Sequence, residues 1–386
     1  MEPIFYSEEE NAYQQEAQAF FEREAPPFIV SMERKNEYPF ELLKKLGSQH
    51  YIGVRYSTEY GGGGRDMLHE TIINEEAGAQ SYAISCARSV PHHCAHIIDV
   101  YGTEEQKRKY LPGIFSGESI MAEAITEPTA GSDAARMKTS AVKKGNQYII
   151  NGEKRFQASG AVAHLLVVFA ITNPDVHPSK GMSCFLVDTD DPNIVAQEDF
   201  DVMGWRGLRV VSELILNGVE VPEENRIGEE GQGFPILIDM LDTERIVVSA
   251  SLTGGARTCL ETAARYSMER EAFHRPLKNF EAISFRVAEM ACRIEAARLI
   301  RIKAARMFEA GMDVAKMAAM AKVVAAENGF WVANEALQIM GGIGATTKSD
   351  IERHFRDLRI GMVGAGSNEV MKLVVQREVY KEFASG

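Results

Sequence analysis

The sequence predicts an α+β protein whose helices and strands are separated along the chain. Apolar residues recur at helical spacing up to Gly117, short β-rich runs follow, and the helical spacing returns from about Gly231 to the end. Strands and helices do not alternate, which argues against a Rossmann fold. A chain of 386 residues is long enough for two or three structural units. We predict three, at residues 1–117, 118–228 and 229–386.

The N-terminal region contains three helical stretches. Residues 7–47 open with Ser7 and Glu10, whose spacing is typical of a capping box. Four glycines at 61–64 interrupt the pattern, and we interpret them as a plain connection because no strand precedes them and no capped helix follows. Helical spacing then covers residues 66–101. After it, Thr-Glu-Glu-Gln at 103–106 predicts an N-cap and a further helix.

The middle region is predicted to form strands, the first of which closes on an Asn-Gly turn. The predicted strands are residues 147–152, 165–171, 182–188 and 213–221. The C-terminal region reads as long helices instead. These are predicted at residues 255–269, 280–310 and 314–340. Ala and Met on their faces, such as Met317, favour close helix packing over a cofactor site.

Composition limits the partners and the location of the protein. A formal net charge of −13 argues against sequence-independent nucleic-acid binding, which needs clustered Lys and Arg. Five widely spaced cysteines without a Cys-x-x-Cys pair favour free thiols and a reducing compartment. No secretory leader follows Met1, and no run of about 18 apolar residues occurs. We therefore expect a cytoplasmic protein with no membrane span and no nucleic-acid partner.

The stretch at residues 125–133, Ile-Thr-Glu-Pro-Thr-Ala-Gly-Ser-Asp, is the clearest sign of a ligand site. It carries two Thr hydroxyls, a Ser hydroxyl, a flexible Gly and a Pro with a fixed φ, which suits a backbone wrapped around a polar ligand. It is neither a Walker loop nor a Gly-x-Gly-x-x-Gly turn. The residues alone therefore predict a ligand loop and no particular ligand.

As a string, residues 125–133 closely resemble the flavin-binding signature of the acyl-CoA dehydrogenase family. Further strings typical of that family occur in the expected order, at residues 101–107, 151–154, 221–225, 231–234, 269–273, 338–344 and 356–357. The resemblance implies an N-terminal helical domain, a β-barrel-like middle domain and a C-terminal four-helix bundle. It also implies FAD, an acyl-CoA substrate, electron-transfer flavoprotein as acceptor and a homotetramer built as a dimer of dimers, working in fatty acid or carboxylic acid degradation.

The same resemblance implies two groups of cofactor-binding residues. Thr126 and Ser132 would hold the flavin and the neighbouring pantetheine, and Phe156 would stack near the isoalloxazine. Arg270 and residues 338–342 would hold the pyrophosphate and adenosine of an FAD bound by a neighbouring subunit, since a guanidinium fork matches phosphate oxygens. The complete implied set is Glu123, Ile125, Thr126, Ser132, Phe156, Ala158, Arg270, Phe273, Gln338, Gly341, Gly342 and Ser367.

Family chemistry removes a proton from the carbon α to a thioester and passes a hydride from the β carbon to flavin N5, which gives a 2-enoyl-CoA. The proton is weakly acidic, so the site needs a carboxylate in a dry pocket and donors to the enolate oxygen. In many members the base follows the Arg-Asp pair, where this chain has Ala365. Resemblance to isovaleryl and long-chain members, with Glu before Arg at the start of a C-terminal helix, implies Glu244. On the residues alone, Glu244 and Arg245 also suit an ordinary first helical turn.

Substrate contacts follow partly from the resemblance and partly from spacing. The backbone N–H of Ala365 and the ribityl 2'-OH of FAD would donate to the thioester carbonyl. Arg88, His92 and His96 share one helix face, which predicts either a pocket where Arg88 pairs with an acyl carboxylate or a solvated or interface face. No local carboxylate completes a metal set with the two histidines, so we predict no metal. The substrate-binding set is Ser132, Asp242, Arg245, Arg88, His92 and Gly364.

Three positions depart from the family pattern. Ala158 stands where a Thr or Ser usually lies near flavin N5. Glu123 stands at a usually aromatic position. It could serve as a second acid or base near the flavin, or it could be a solvated charge at a strand end, which is the interpretation we favour. His274 follows Phe273 where a Gly is usual. Arg270 also suits a simple pairing with Glu269 on the residues alone.

Two alternatives to a dehydrogenase remain open at this level. The same site could run in reverse as an enoyl-CoA reductase, because direction leaves no mark in the sequence. Ala158 and Ala365 also suit a redox-silent member of the fold that binds acyl-CoA without reacting it. The colour of the purified protein separates this last alternative from the other two.

Overall fold

The computed structural model describes residues 5–197 and 200–384. It arranges them as helices, then a sheet, then helices, so the predicted α+β order is confirmed. All five cysteines are free thiols. Among the described residues, no helix combines the length and the apolar composition needed to span a bilayer.

Among the described residues, six α-helices form the N-terminal part. They are α1 (Glu8–Glu24), α2 (Pro26–Lys35), α3 (Phe40–Ser48), α4 (Met67–Gln80), α5 (Tyr82–Tyr101) and α6 (Glu104–Phe115). The Ser7 hydroxyl accepts the Glu10 N–H at 3.1 Å, and the Glu10 carboxylate accepts the Ser7 N–H at 2.7 Å, so the capping box is confirmed. Pro26 and a left-handed Asn36 (φ +53°) divide the predicted stretch at 7–47 into three helices.

Helices α4 and α5 lie at the centre of the molecule. The predicted stretch at 66–101 becomes two helices because Ser81 is extended, with φ −163° and ψ 132°. α5 remains helical through Pro91. α4 packs against a C-terminal helix at Gly78, where a Cβ would lie 2.3 Å from the Ser251 carbonyl oxygen. Only glycine permits that backbone approach.

The middle part is one eight-stranded sheet. Its strands are β1 (Met121–Ala124), β2 (Ser140–Lys144), β3 (Gln147–Lys154), β4 (Leu165–Ile171), β5 (Met182–Asp188), β6 (Ile194–Ala196), β7 (Leu214–Pro222) and β8 (Arg226–Ile227), with the short helix α7 (Pro178–Gly181) between β4 and β5. The order is β6-β7-β3-β2-β4-β5-β8, and β1 pairs in parallel with β4. Within the described residues this path has two ends rather than closing on itself.

The predicted Asn-Gly turn is wrong. Asn151 and Gly152 lie inside β3, which continues to Lys154 and pairs with β7 along its whole length. The pairing register shifts between Ile150 and Asn151, which marks a β-bulge. Gly152 is needed there because a Cβ would lie 2.3 Å from the Thr139 hydroxyl.

The C-terminal part is helical, as predicted. It contains α8 (Gly233–Glu269), the hairpin β9 (Glu271–Ala272) and β10 (Arg275–Pro276), α9 (Glu281–Glu309), α10 (Ala315–Met340), α11 (Ile351–Ile360) and α12 (Asn368–Ala384). α10 packs against α8, α9 and α12, which gives the expected bundle. The prediction for α8 covered only residues 255–269, whereas the helix begins at Gly233. A Cβ at Gly254 would lie 2.0 Å from the Glu75 carbonyl oxygen, so this glycine serves packing.

Candidate active site

The ligand loop at residues 125–133 follows β1, and a buried ion pair between Glu127 of the loop and Lys154 of β3 holds it in place. The Glu127 carboxylate accepts the Thr139 N–H at 2.9 Å and the Lys138 N–H at 2.6 Å, and it lies 3.1 Å from the Lys154 ammonium. Lys154 also donates to the Ile125 carbonyl oxygen at 3.1 Å. Both charged side chains are buried. The loop is therefore fixed to β2 and β3 while Ser132 stays exposed and Thr126 half-buried.

The segment after β3 contains two residues with positive φ. Phe156 (φ +67°) is 56% exposed, and its ring stacks on Phe200 with centroids 4.8 Å apart. Ser159 (φ +63°) is buried, and its hydroxyl bonds the Tyr38 hydroxyl at 3.1 Å. Ala158 between them is half-buried. The nearest hydroxyl to Ala158 along this segment is thus turned into the core, a feature that the sequence did not reveal.

Glu244 lies well inside α8 and not at a helix start, because α8 begins at Gly233. Its side chain is half-buried, and its Oε2 atom has no hydrogen-bond partner within the described residues. Burial raises the pKa of Glu244 to about 7, against the opposing positive charges of Arg245 and Lys322. A carboxylate in this state is a stronger base than one in water.

A tight turn between α11 and α12 approaches α8 next to Glu244. Ala365 (φ +55°) and Gly366 (φ +85°) form this turn, and Arg245 reaches the Ala365 carbonyl oxygen at 3.5 Å. Asp242 holds the Arg245 guanidinium at 2.6 Å. The structure therefore brings together four residues that the sequence assigned to the acyl site: Asp242, Glu244, Arg245 and Ala365.

Lys322 supports the same turn and was missed by sequence reasoning. This buried side chain of α10 donates to the Gly366 carbonyl oxygen at 2.7 Å and to the Asn368 side-chain oxygen at 2.9 Å. Burial lowers the pKa of Lys322 to about 7. One signal was available, since Lys322 is a single charge on an Ala-rich helical face that otherwise reads as core.

His93 and Glu123 converge on Glu244 from two other elements. His93 of α5 is 1% exposed, and its Nδ1 atom lies 3.7 Å from Oε1 of Glu123 on β1. One ligand atom from each of His93, Glu123 and Glu244 lies within 4.8 Å of the others. The side chain of Glu123 is only 15% exposed, so the interpretation as a solvated charge is wrong. Burial first and the Glu244 charge second raise the pKa of Glu123.

Arg88 and His92 lie in a buried polar network behind this site. The three guanidinium nitrogens of Arg88 donate to Glu70, to Asn74 and to the Tyr51 carbonyl oxygen. His92 Nδ1 lies 3.3 Å from the Glu70 carboxylate. Because both side chains are fully buried and these donors are used within the protein, Arg88 does not remain available for an acyl carboxylate, contrary to the first interpretation of its helical spacing.

Carboxylates from distant parts of the chain accompany the histidines of α5, which the sequence analysis did not foresee. His96 Nε2 lies 2.8 Å from Asp239 on α8, and His96 Nδ1 lies 2.8 Å from the Arg55 guanidinium. Arg88, His92 and His96 therefore share a helix face, as predicted, and that face is buried rather than solvated. His93 points away from it, towards Glu123.

Family models match all three parts of the chain. Residues 7–118 match the acyl-CoA dehydrogenase N-terminal domain, residues 122–219 the middle domain and residues 231–380 the C-terminal domain. The chain belongs to the acyl-CoA dehydrogenase family. It is accordingly an oxidoreductase that acts on a CH–CH group.

Relatives of the chain align along almost its entire length. "Acyl-CoA dehydrogenase, short-chain specific" of Clostridium acetobutylicum is 36% identical over 377 residues, which cover 97% of this chain and 98% of that protein. "Acryloyl-CoA reductase (NADH)" of Anaerotignum propionicum is 36% identical and covers 95% of this chain and 93% of that protein. A chain from the solved structure "Electron transferring flavoprotein of Acidaminococcus fermentans: Towards a mechanism of flavin-based electron bifurcation" is 36% identical, with a TM-score of 0.93 and 97% and 98% coverage.

The remaining residues assigned to the cofactor of an acyl-CoA dehydrogenase lie on the surface of the single chain. Phe273 (φ +51°) and His274 (φ +64°) form the turn between β9 and β10, and the Phe273 side chain is 87% exposed. The other members of this group, Arg270, Gln338, Gly341 and Gly342, are also exposed. Ser367 behaves differently, since its hydroxyl accepts the Val370 N–H at 3.3 Å at the start of α12. No hydrogen bond between described residues joins the exposed group to Glu244.

Proposed function

We propose that this protein is an FAD-dependent acyl-CoA dehydrogenase that forms a 2-enoyl-CoA and passes the electrons to an electron-transfer flavoprotein. The observation that carries the proposal is the Glu244 carboxylate, which has a free oxygen next to the turn at residues 364–366. The flavoprotein partner is supported by the neighbour whose solved structure names an electron transferring flavoprotein. Assignment to the isovaleryl or long-chain type stays a prediction, as does a cytoplasmic location.

The residues around the ligand loop fit a bound flavin. Thr126 keeps a half-buried hydroxyl beside a loop that Glu127 and Lys154 fix in place, and Phe156 offers a large exposed ring on a constrained backbone. Ile125, Ser132 and Ala158 complete this part of the proposed cofactor site. When bound, FAD supplies the acceptor for the hydride that leaves the β carbon.

Glu244 takes the α-proton in this proposal. The proton of a thioester is weakly acidic, and each unit of pKa gap between it and the base costs about 1.4 kcal/mol. A half-buried carboxylate narrows that gap, and the Ala365 N–H provides a donor to the carbonyl oxygen on which charge develops. Lys322 and Arg245 donate hydrogen bonds to carbonyl oxygens of the turn that carries this N–H, and so hold the turn in place.

The substrate proposed for this site is a short uncharged acyl group. Gly364 packs against Trp205, where a Cβ would lie 3.0 Å from the indole ring, and Ala365 adds only a methyl group. The guanidinium of Arg88 is occupied, which removes the cation proposed for a dicarboxylic substrate. The short-chain relative of Clostridium acetobutylicum agrees with this choice.

The replacement Glu244→Gln tests the proposal directly. Purified protein is mixed anaerobically with straight, branched, cyclic and dicarboxylic acyl-CoA thioesters while flavin absorbance is followed. We expect the wild-type flavin to bleach with a short uncharged thioester. In Glu244→Gln the bleaching rate should be at least about 100-fold lower, with the flavin content unchanged. Glu261→Gln, the same change at an exposed site on α8, is the control and keeps the wild-type rate. Full bleaching by Glu244→Gln would remove this residue from the reaction.

A reductase is the second candidate, because "Acryloyl-CoA reductase (NADH)" is 36% identical to the chain. The flavin is first reduced with dithionite under anaerobic conditions, and a short enoyl-CoA is then added. Reoxidation faster than the bleaching rate with the saturated thioester favours the reductase, and the opposite ratio favours the dehydrogenase. A colourless protein that takes up no FAD would instead support the redox-silent alternative.

A further inference from the structure

Three side chains that are far apart in the sequence meet beside the proposed acyl site. His93 comes from α5, Glu123 from β1 and Glu244 from α8, and one ligand atom of each lies within 4.8 Å of the other two. Two ligands bound to one ion at about 2.1 Å each lie at most about 4.2 Å apart. Three ligands in a tetrahedral arrangement lie about 3.4 Å apart, so side-chain rotations have to close the largest gap by up to roughly 1.4 Å for shared coordination.

The protein leaves the polar atoms of this cluster without partners. Within the described residues, Nδ1 and Nε2 of His93, Oε1 of Glu123 and Oε2 of Glu244 are buried and accept or donate no hydrogen bond. Buried polar atoms are normally satisfied, and orphaned atoms on three neighbouring side chains call for a ligand that satisfies one atom of each. The ring of His93 is the most informative of them, since its residue is 1% exposed and both nitrogens are orphaned.

Charge points to a cation as that ligand. Two carboxylates face each other at short range, and burying such a pair without a counter-charge is unfavourable. The nearest cationic groups, Arg245 and Lys322, are held by Asp242 and by the turn at Gly366. Their positive charges lower the pKa of Glu244, whereas the neighbouring charge that acts on Glu123 is that of Glu244 itself.

We propose that His93, Glu123 and Glu244 bind one divalent cation of the Zn²⁺, Mn²⁺ or Fe²⁺ class. An imidazole nitrogen with two carboxylate oxygens suits these borderline ions better than Ca²⁺ or Mg²⁺, which prefer oxygen ligands alone. Three protein ligands leave coordination positions open to water or to an acyl thioester. The site goes beyond the proposed dehydrogenase chemistry, because an occupied site makes Glu244 a ligand and a vacant site leaves it a free base.

The test measures cation binding by the flavin-loaded protein. Protein treated with EDTA and then desalted is titrated with ZnCl2, with MnCl2 and, anaerobically, with ferrous ammonium sulfate, and bound metal is counted by mass spectrometry after gel filtration. We expect one equivalent per chain for at least one ion. His93→Ala and Glu123→Gln should each weaken binding about tenfold or more, since even partners of metal ligands contribute that much.

The matched control is His96→Gln, which alters a buried histidine on the same helix that pairs with Asp239 instead. This variant should bind the cation as the wild type does. Absence of a stoichiometric cation in the wild type, or equal binding in His93→Ala with intact flavin absorbance, overturns the proposal. The dehydrogenase proposal is judged separately, by bleaching of the EDTA-treated protein, so one proposal can fail while the other stands.

Discussion

Asp357 belongs to the Arg-Asp string at residues 356–357, but its side chain does not form an ion pair with the adjacent arginine. The neighbouring Arg356 does not pair with it and instead binds Glu33 and Glu352. One oxygen of the fully buried Asp357 accepts the Trp205 N–H at 2.8 Å, and the other has no partner within the described residues. Burial raises the pKa of Asp357 to about 6. The residue therefore positions the segment around Trp205 at a cost in stability.

This cost predicts a pH effect that Asp357→Asn should remove. The folded protein keeps the proton up to about pH 6, whereas the unfolded chain releases it near the usual value of 3.8. The free energy of unfolding then falls by about 3 kcal/mol as pH rises from 4 to above 6. The amide resembles the protonated acid, so Asp357→Asn should melt at a higher temperature than wild type at pH 7 and at a similar one at pH 4. Thermal melting of both, with the exposed Asp201→Asn as control, checks this, and equal pH profiles would contradict it.

The proposed base could be located from the sequence, whereas its surroundings could not. Glu244 stands in a recognisable string, so its role does not depend on knowing its neighbours. His93 and Glu123 meet it only because α5, β1 and α8 pack together, and no local spacing encodes that meeting. The prediction that Arg88 pairs with an acyl carboxylate was wrong for a related reason, since its partners Glu70 and Asn74 lie on α4, a separate helix.

At the scale of elements, the buried Lys154–Glu127 pair joins β3 to the ligand loop. Its two side chains are 0% and 4% exposed, and the Glu127 carboxylate also accepts the Thr139 hydroxyl at 2.6 Å. Removing one partner of a buried pair leaves a charge that nothing neutralises. The element that carries Thr126 therefore depends on a lysine in the adjacent strand.

Lys154→Met should lower the free energy of unfolding by about 3–5 kcal/mol, because it leaves the Glu127 charge buried. The double variant Lys154→Met with Glu127→Gln should regain part of that loss. The exposed pair Lys143–Glu223 is the control, and Lys143→Met should cost about 1 kcal/mol or less. Urea denaturation gives the three values, and FAD affinity should fall together with stability in Lys154→Met. Similar losses at Lys154 and Lys143 would contradict the assignment.

The bounds of helices and strands were predicted well where the periodicity of apolar residues defines them. They were predicted poorly where a glycine lies inside the element. The strands β4 and β5 were predicted with their observed bounds, because uninterrupted apolar runs between turn residues have one reading. Gly152 was read as part of a turn, and the helical segment was predicted to begin only after Gly254. Each lies inside a continuous element and is glycine because another backbone or side chain approaches within 2.3 Å of where a Cβ would stand.

At the scale of the whole molecule, the exposed apolar side chains are concentrated in the C-terminal part. The most exposed are Phe273 (87%), Phe383 (80%), Phe285 (66%), Tyr380 (65%) and Val363 (61%). Surfaces of this kind are commonly covered in an oligomer. We propose a homotetramer, built as a dimer of dimers, in which the β9–β10 hairpin contacts the cofactor of a neighbouring subunit.

Phe273→Ser tests this arrangement. We expect wild-type protein to elute as a tetramer in gel filtration with light scattering, and the variant to lose FAD on dilution at least about tenfold more readily. Val142→Ser, at an exposed apolar site on β2 in the middle domain, should change neither property. A monomeric wild type that holds FAD as firmly as the variant does would rule out a contribution of this hairpin from a second chain.

The long helix α8 connects the proposed base to Arg270. The helix runs without interruption from Glu244 to Glu269, a length of about 38 Å at 1.5 Å per residue. Its first half presents the proposed base, and the residue after its end is Arg270, which the proposed assembly assigns to a second active site. A packed helix moves as a rod, so the spacing between two reaction centres is set by a single piece of backbone. In the proposed assembly, a tilt of α8 that repositions the proposed base would also move Arg270 at the cofactor site of the neighbouring subunit.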